Sequence, residues 1–87
     1  MRADKNQSEI VAGLRDIGAS VLILSQVGGG CPDLLVGFRG QNHLLEVKDA
    51  GYKLSWKQQN WFNIWQGQKA VVVYNLPEAL KAIGAIS

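Results

Sequence analysis

Two apolar runs bordered by charge limit what this chain can fold into. Gly28-Gly29-Gly30-Cys31-Pro32-Asp33 leads into Leu34-Leu35-Val36, and Leu44-Leu45 runs into Glu46-Val47-Lys48 thirteen residues after Asp33. Side chains alternate across a strand, so Glu46 and Lys48 project from one face while Leu45 and Val47 point to the other, into a core. One face therefore carries chemistry. Two carboxylates, with a lysine two residues after the second, form a site for a hard divalent cation. Such a cation prefers oxygen ligands and keeps positions open for water and phosphate oxygens. A site of that kind hydrolyses phosphodiesters.

The rest of the chain supplies elements for a sheet covered by helices. A helix is expected after Asn6, whose side chain would form a capping box with Glu9, with Ile10, Leu14 and Ile17 at helical spacing and Gly18 as its stop. Val21 to Leu24 reads as a strand that the triple glycine breaks. Asp33 to Phe38 and His43 to Lys48 are two further strands, joined by Arg39-Gly40-Gln41-Asn42 as a hairpin connection. A helix from about Trp56 to Gly67 follows, with Ser55 as N-cap, Gln58 closing its capping box, and Trp61, Phe62 and Trp65 sharing a face. Ala70 to Tyr74 has the continuous apolar character of a central strand covered on both faces. The chain ends in a short helix with Asn75 and Glu78 as a third capping pair and Leu76, Ala79, Leu80 and Ile83 on its apolar side. The order α-β-β-β-α-β-α predicts an α/β domain with a central mixed sheet flanked by helices.

With 87 residues, the chain is one domain, 1–87, that buries only about 60 to 65% of its unfolded surface. Hydrophobic residues make up 47% and charged residues 18%, which excludes disorder and points to self-association as an outlet for apolar surface. The net charge of +2 neither identifies nor opposes a nucleic-acid binder. Cys31 is the single cysteine, so no intrachain disulfide forms, and with only His43 beside it a zinc site has too few ligands. No apolar targeting segment or run of about 18 apolar residues appears, so the expectation is a cytoplasmic protein without a membrane partner.

Each candidate residue has a plainer reading beside the functional one. Asp33 follows a proline and opens a strand, where aspartate often serves a turn. Glu46 and Lys48 would also make an ion pair on an exposed strand, of little energetic value. Against this, their strand is apolar apart from these two residues. The glycine run is not a nucleotide P-loop, since no Gly-Lys-Ser/Thr follows; it lets the backbone turn tightly and a nucleic-acid strand approach Asp33 at Gly29 and Gly30. Cys31 is expected as a small buried filler and His43 as a polar edge residue. Trp61 and Trp65 suit a core or an interface. Trp56 lies near Tyr52, Lys53 and Lys57, where aromatics among lysines hold a strand by stacking and phosphate contacts, or where a partner subunit docks.

On these residues the chain resembles the PD-(D/E)xK nucleases, and within them the VRR-NUC (virus-type replication-repair nuclease) domain in its standalone form. Pro32-Asp33 resembles the first half of the signature and Glu46-Val47-Lys48 the second. Leu54-Ser55, Gln58 and Trp61 are similar to the helix that follows in the family, and the likeness runs from about Glu9 to Tyr74. It implies a restriction-endonuclease-like core and a Mg²⁺ site, with Mn²⁺ a substitute. The ligands would be Asp33, Glu46 and the backbone carbonyl of Val47, with metal–oxygen distances of roughly 2.0 to 2.1 Å. Lys48 would orient and help deprotonate the attacking water or stabilise developing charge. Glu9 would match the helix-1 glutamate that reaches the metal in many relatives, and Gln58 the glutamine that contacts the active site. Each also has its capping role as the alternative.

The expected function is a metal-dependent, structure-specific DNA endonuclease similar to Holliday-junction resolvases. It would act as a homodimer on branched DNA. A flap or general nuclease, or a catalytically silent nucleic-acid-binding module of the same fold, are the alternatives.

Overall fold

A computed structural model describes residues 2–87, with side chains from Lys5 onward. The elements come in the expected order: α1 (Arg2–Asp16), β1 (Ser20–Ile23), β2 (Leu34–Phe38), β3 (Gln41–Val47), α2 (Trp56–Ile64), β4 (Val71–Val73) and α3 (Leu76–Ala82). They form an α/β domain around a four-stranded mixed sheet, β1-β2-β3-β4, antiparallel from β1 to β3 and parallel between β3 and β4.

The core lies on one face of this sheet. Ile10, Val11 and Leu14 of α1 and Ala79 and Ile83 at α3 close over Leu34, Val36, Leu45, Val47 and Val73. These strand residues are alternate positions, as the period of two requires. Helix α3 thus spends its apolar side within its own chain, with Leu76 and Leu80 also packed against the core. It does not add to the uncovered apolar surface from which self-association was expected.

Several expectations are corrected. Helix α1 begins at Arg2, not after Asn6. Asn6 sits within the helix and donates from Nδ2 to the carbonyls of Lys48 and Tyr74, both 3.2 Å away. It ties the ends of β3 and β4 to α1 instead of capping with Glu9, a long-range demand that a local Asn-x-x-Glu pattern cannot reveal. Ile17 lies beyond the helix end and is exposed. The strand near residue 72 is an edge strand, pairing with β3 alone among the described residues, and Val71 is exposed. Its unbroken apolar character is therefore no sign of a central position.

The β2–β3 connection is also tighter than four residues. Phe38 pairs with Gln41, leaving Arg39 and Gly40 as a two-residue turn with φ of 52° and 79°. Positive φ at both central positions is the type I′ geometry that matches strand twist. Asn75 caps α3 through the Glu78 amide, but Glu78 accepts from the Tyr74 amide (2.8 Å) rather than closing back on Asn75. Helix α2 stops at Ile64, short of Gly67, because Trp65 turns extended while its amide still bonds Trp61 O.

Candidate active site

The second sheet face holds the carboxylates. Leu34 pairs with Leu45, and one further step along that ladder sets Asp33 opposite Glu46. Directly opposed side chains in an antiparallel pair stand about 4.5 to 5.5 Å apart at Cβ and share a face. The Asp33 carbonyl accepts from the Leu24 amide at 2.7 Å, carrying the β1–β2 pairing just past Leu34 and fixing where the Asp33 side chain starts.

Each carboxylate has one oxygen held by a protein donor. Asp33 Oδ2 accepts from the Val47 amide at 2.8 Å. Glu46 Oε2 accepts from Gln58 Nε2 at 2.9 Å and lies 3.7 Å from Lys48 Nζ. Glu46 Oε1 is buried and has no hydrogen-bond partner. A buried carboxylate oxygen without a donor costs free energy unless a cation or proton satisfies it. Val47 contributes its N–H to Asp33. In an extended residue the carbonyl projects to the same edge as the N–H, so the Val47 C=O is turned to the Asp33 side.

Glu46 is only 2% exposed, which removes the reading of an ion pair on an open strand. Burial first, and the Asp33 carboxyl second, raise its pKa to about 7, with Lys48 pulling the other way. The lysine at this distance does not offset what burial and a second carboxylate impose. The same two carboxylates, after burial itself, push the Cys31 thiol up. Cys31 is half-buried at the rim of a groove, not a buried filler, while its neighbour Pro32 takes the buried place. His43 is buried rather than at a polar edge, with Nδ1 3.4 Å from Gln68 Nε2 and Nε2 unpartnered.

Gln58 reaches the site because the local sequence builds a full capping box. Ser55 Oγ accepts from the Gln58 amide (3.2 Å), and Gln58 Oε1 accepts from the Ser55 amide (2.9 Å). With its oxygen committed, the amide group can only present Nε2 to Glu46. The capping and active-site readings of Gln58 are thus one geometry.

Gly30 touches the same helix turn: a Cβ there would sit 2.5 Å from Lys57 O. This close approach, together with a φ of +85°, requires glycine at position 30. Gly29 is open, with nothing near its missing side chain. Tyr52, Lys53 and Lys57 are exposed, and the Tyr52 carbonyl accepts from Tyr74 Oη at 3.2 Å.

Glu9 is not brought to the pair. It is exposed and borders a separate depression with Lys5, Asn6, Asp49 and Tyr74. Among the described residues no three His, Cys, Asp or Glu side chains gather to hold a metal. A hard cation would meet two carboxylates here, Asp33 and Glu46, with Glu46 Oε1 unpartnered, and the rest of its shell would be left to carbonyl and water. Asn6, which sequence reasoning treated as a cap, proves to be the residue that fixes the Lys48 backbone; only the wider fold could have revealed that. Among the described residues no helix is long and apolar enough to cross a membrane. Compared with family models, curated proteins and solved structures, the chain matches none.

Proposed function

We propose that this protein is a Mg²⁺-dependent endonuclease of restriction-endonuclease-like fold, of the VRR-NUC kind, hydrolysing phosphodiester bonds in branched DNA as a homodimer. The observation that carries the reading is the opposed pair Asp33 and Glu46, each with one oxygen fixed by a protein donor, and with Glu46 Oε1 buried and unsatisfied. A binding module has no use for that arrangement opposite a polyanion.

In this reading Asp33, Glu46 and the Val47 carbonyl would hold the cation, which would supply a more acidic water and offset charge on the phosphate oxygens. Gln58 and the Val47 amide keep the two carboxylates from rotating. Lys48, beside Glu46, orients the attacking water or meets negative charge as it develops on the phosphate. Tyr52, Lys53 and Lys57 are exposed and, in this reading, take the backbone of the DNA.

The test is cleavage of labelled duplex, flap and four-way-junction DNA by the full chain in Mg²⁺, Mn²⁺, Ca²⁺ or EDTA. Cleavage is expected in Mg²⁺ and Mn²⁺, fastest on junctions, and absent in Ca²⁺, which binds oxygen ligands in looser geometry. Full activity in EDTA removes the metal reading, and equal rates on duplex and junction remove branched DNA as the preferred substrate.

A further inference from the structure

Trp56 is the most exposed large hydrophobic side chain among the described residues, at 75%. The other two tryptophans have ring partners: Trp61 and Trp65 stack with centroids 4.7 Å apart, and Trp61 also stands edge-on to Phe62. Trp56 meets no ring among the described residues. Its backbone is nevertheless fixed, because it is the first residue of α2. Ser55 before it and Gln58 after it form the capping box, the Leu54 carbonyl accepts from Gln59 Nε2 at 3.1 Å, and Tyr74 Oη holds the Tyr52 carbonyl. A broad ring carried in water on a fixed backbone can take a flat partner with little ordering cost.

The charge around the ring specifies that partner. Residues 51–77 contain Lys53, Lys57 and Lys69 and no aspartate or glutamate. Lys57 is the second residue of α2, where the helix macrodipole favours an anion, and no acid stands in that first turn. Lys53 and Lys57 are exposed, and neither pairs with a carboxylate among the described residues. Lys57 thus works against its own helix, and a negatively charged partner reverses that cost. Stacked bases with phosphates on flanking cations are how a single strand is held. A duplex would meet the lysines and leave the ring uncovered, since its bases face one another inside the stack.

We infer that Trp56 stacks on an unpaired base of the strand whose phosphate lies at Asp33 and Glu46, with Lys53 and Lys57 on the neighbouring phosphates. Gln58, on the same helix turn, reaches Glu46 at 2.9 Å, which sets Trp56 within about one helix width, 10 to 12 Å, of the carboxylates. At ~3.4 Å per nucleotide along a strand, that is about three nucleotides. What the site reads in branched DNA is then the base left unpaired close to the branch. The stacking does not depend on catalysis; only its place beside the cut rests on the nuclease reading.

The test measures binding of the full chain, in Ca²⁺, to two single strands of equal charge: an oligothymidylate of ~16 nucleotides and a strand of the same length built of abasic units. Both carry phosphates and only the first carries bases. Wild type should bind the oligothymidylate at least about tenfold more tightly, an effect of the size that stacking of one base supplies. Trp56→Ala should bind the two strands within about twofold of each other, and so should Trp56→Leu, which is apolar but has no ring. Lys57→Ala should weaken both strands alike and lower the salt slope by about 0.7. Trp56 is exposed, so its substitution leaves the fold intact, which urea unfolding checks. A wild type that binds both strands alike, or neither at about 100 µM, overturns the inference. So does a Trp56→Ala or Trp56→Leu protein that keeps the preference, since the bases would then be held elsewhere or by plain apolar contact. If the preference follows Trp56 and no DNA is cut in Mg²⁺, this inference stands and the nuclease reading falls. If Trp56→Ala cuts flaps and junctions at the wild-type kcat/KM while Asp33→Asn does not, the nuclease reading stands and this inference falls.

Discussion

The two faces of the sheet are built from alternate residues of the same strands but are finished differently. On one face Leu34, Val36, Leu45 and Val47 meet two helices and vanish from solvent. On the other, Asp33, Leu35, Leu44 and Glu46 meet a helix that buries nothing and leaves a groove beside the carboxylates. The closed face supplies rigidity and the open one uses it. Glu46 stays at 2% exposure, with its raised pKa, because the strand beneath it is fixed by Leu45 and Val47 on the far side. A polar pair that is costly to bury sits where a separate hydrophobic layer can offset the cost.

The sharpest way to break this division is to change the carboxylates. Asp33→Asn, Glu46→Gln or Lys48→Ala should lower cleavage by on the order of a thousandfold, about 4 kcal/mol of transition-state stabilisation, without lowering the unfolding midpoint. Single-turnover assays beside urea titrations separate the two effects. Wild-type rates in any of the three would sink the site.

The converse change belongs to the closed face. Leu45→Ala leaves a cavity among Leu34, Val36 and the α1 residues and should cost about 2 to 5 kcal/mol. The neighbouring Leu44→Ala, on the groove, should cost under about 1 kcal/mol. Equal losses in urea unfolding would show that the open face carries as much of the stability as the closed one.

Next in size is a pH effect on the metal-free protein. The Glu46 pKa rises from 4.5 to about 7 on folding, so between those values the folded state binds a proton that the unfolded state has released. Stability from this group is fully present below about 4.5 and is lost as pH rises through about 7, by on the order of 3 kcal/mol. Burial and the two carboxylates also raise the Cys31 thiol, so the wild-type curve should be compared with that of Glu46→Gln, which lacks the slope. Parallel curves would place the cost of the buried carboxyl elsewhere.

The alternation of β3 and the cap of α2 were legible because both are local: one follows from period two, the other from Ser-x-x-Gln spacing. The opposition of Asp33 and Glu46 was not. A symmetric four-residue connection over 39–42 would have paired Asp33 with Lys48; the two-residue turn at Arg39 and Gly40 shifts the ladder and brings the carboxylates together. Arg-Gly lacks the Asn or Asp that usually marks such a turn. The edge position of β4 and the reach of Asn6 to Lys48 and Tyr74 depend on the assembled sheet, and no window of sequence contains them.

The smallest expected effect tests whether the open face relies on its helix cap. Ser55→Ala removes the acceptor for the Gln58 amide and should weaken the first turn of α2 by about 1 kcal/mol. Because α2 buries no residue, the global unfolding midpoint should scarcely move, whereas amide exchange over residues 56–64 should quicken. Gln58 would then hold Glu46 Oε2 for a smaller share of the time, and cleavage should fall roughly three- to tenfold, the factor that about 1 kcal/mol represents. Ser55→Thr keeps an oxygen that caps and should restore both exchange and rate, while Gln58→Ala should lose both, since it removes the cap's return bond and the donor to Glu46 together. If Ser55→Ala quickens exchange and leaves the rate per folded molecule unchanged, Gln58 serves the helix alone, and the open face needs nothing from α2 beyond its cover.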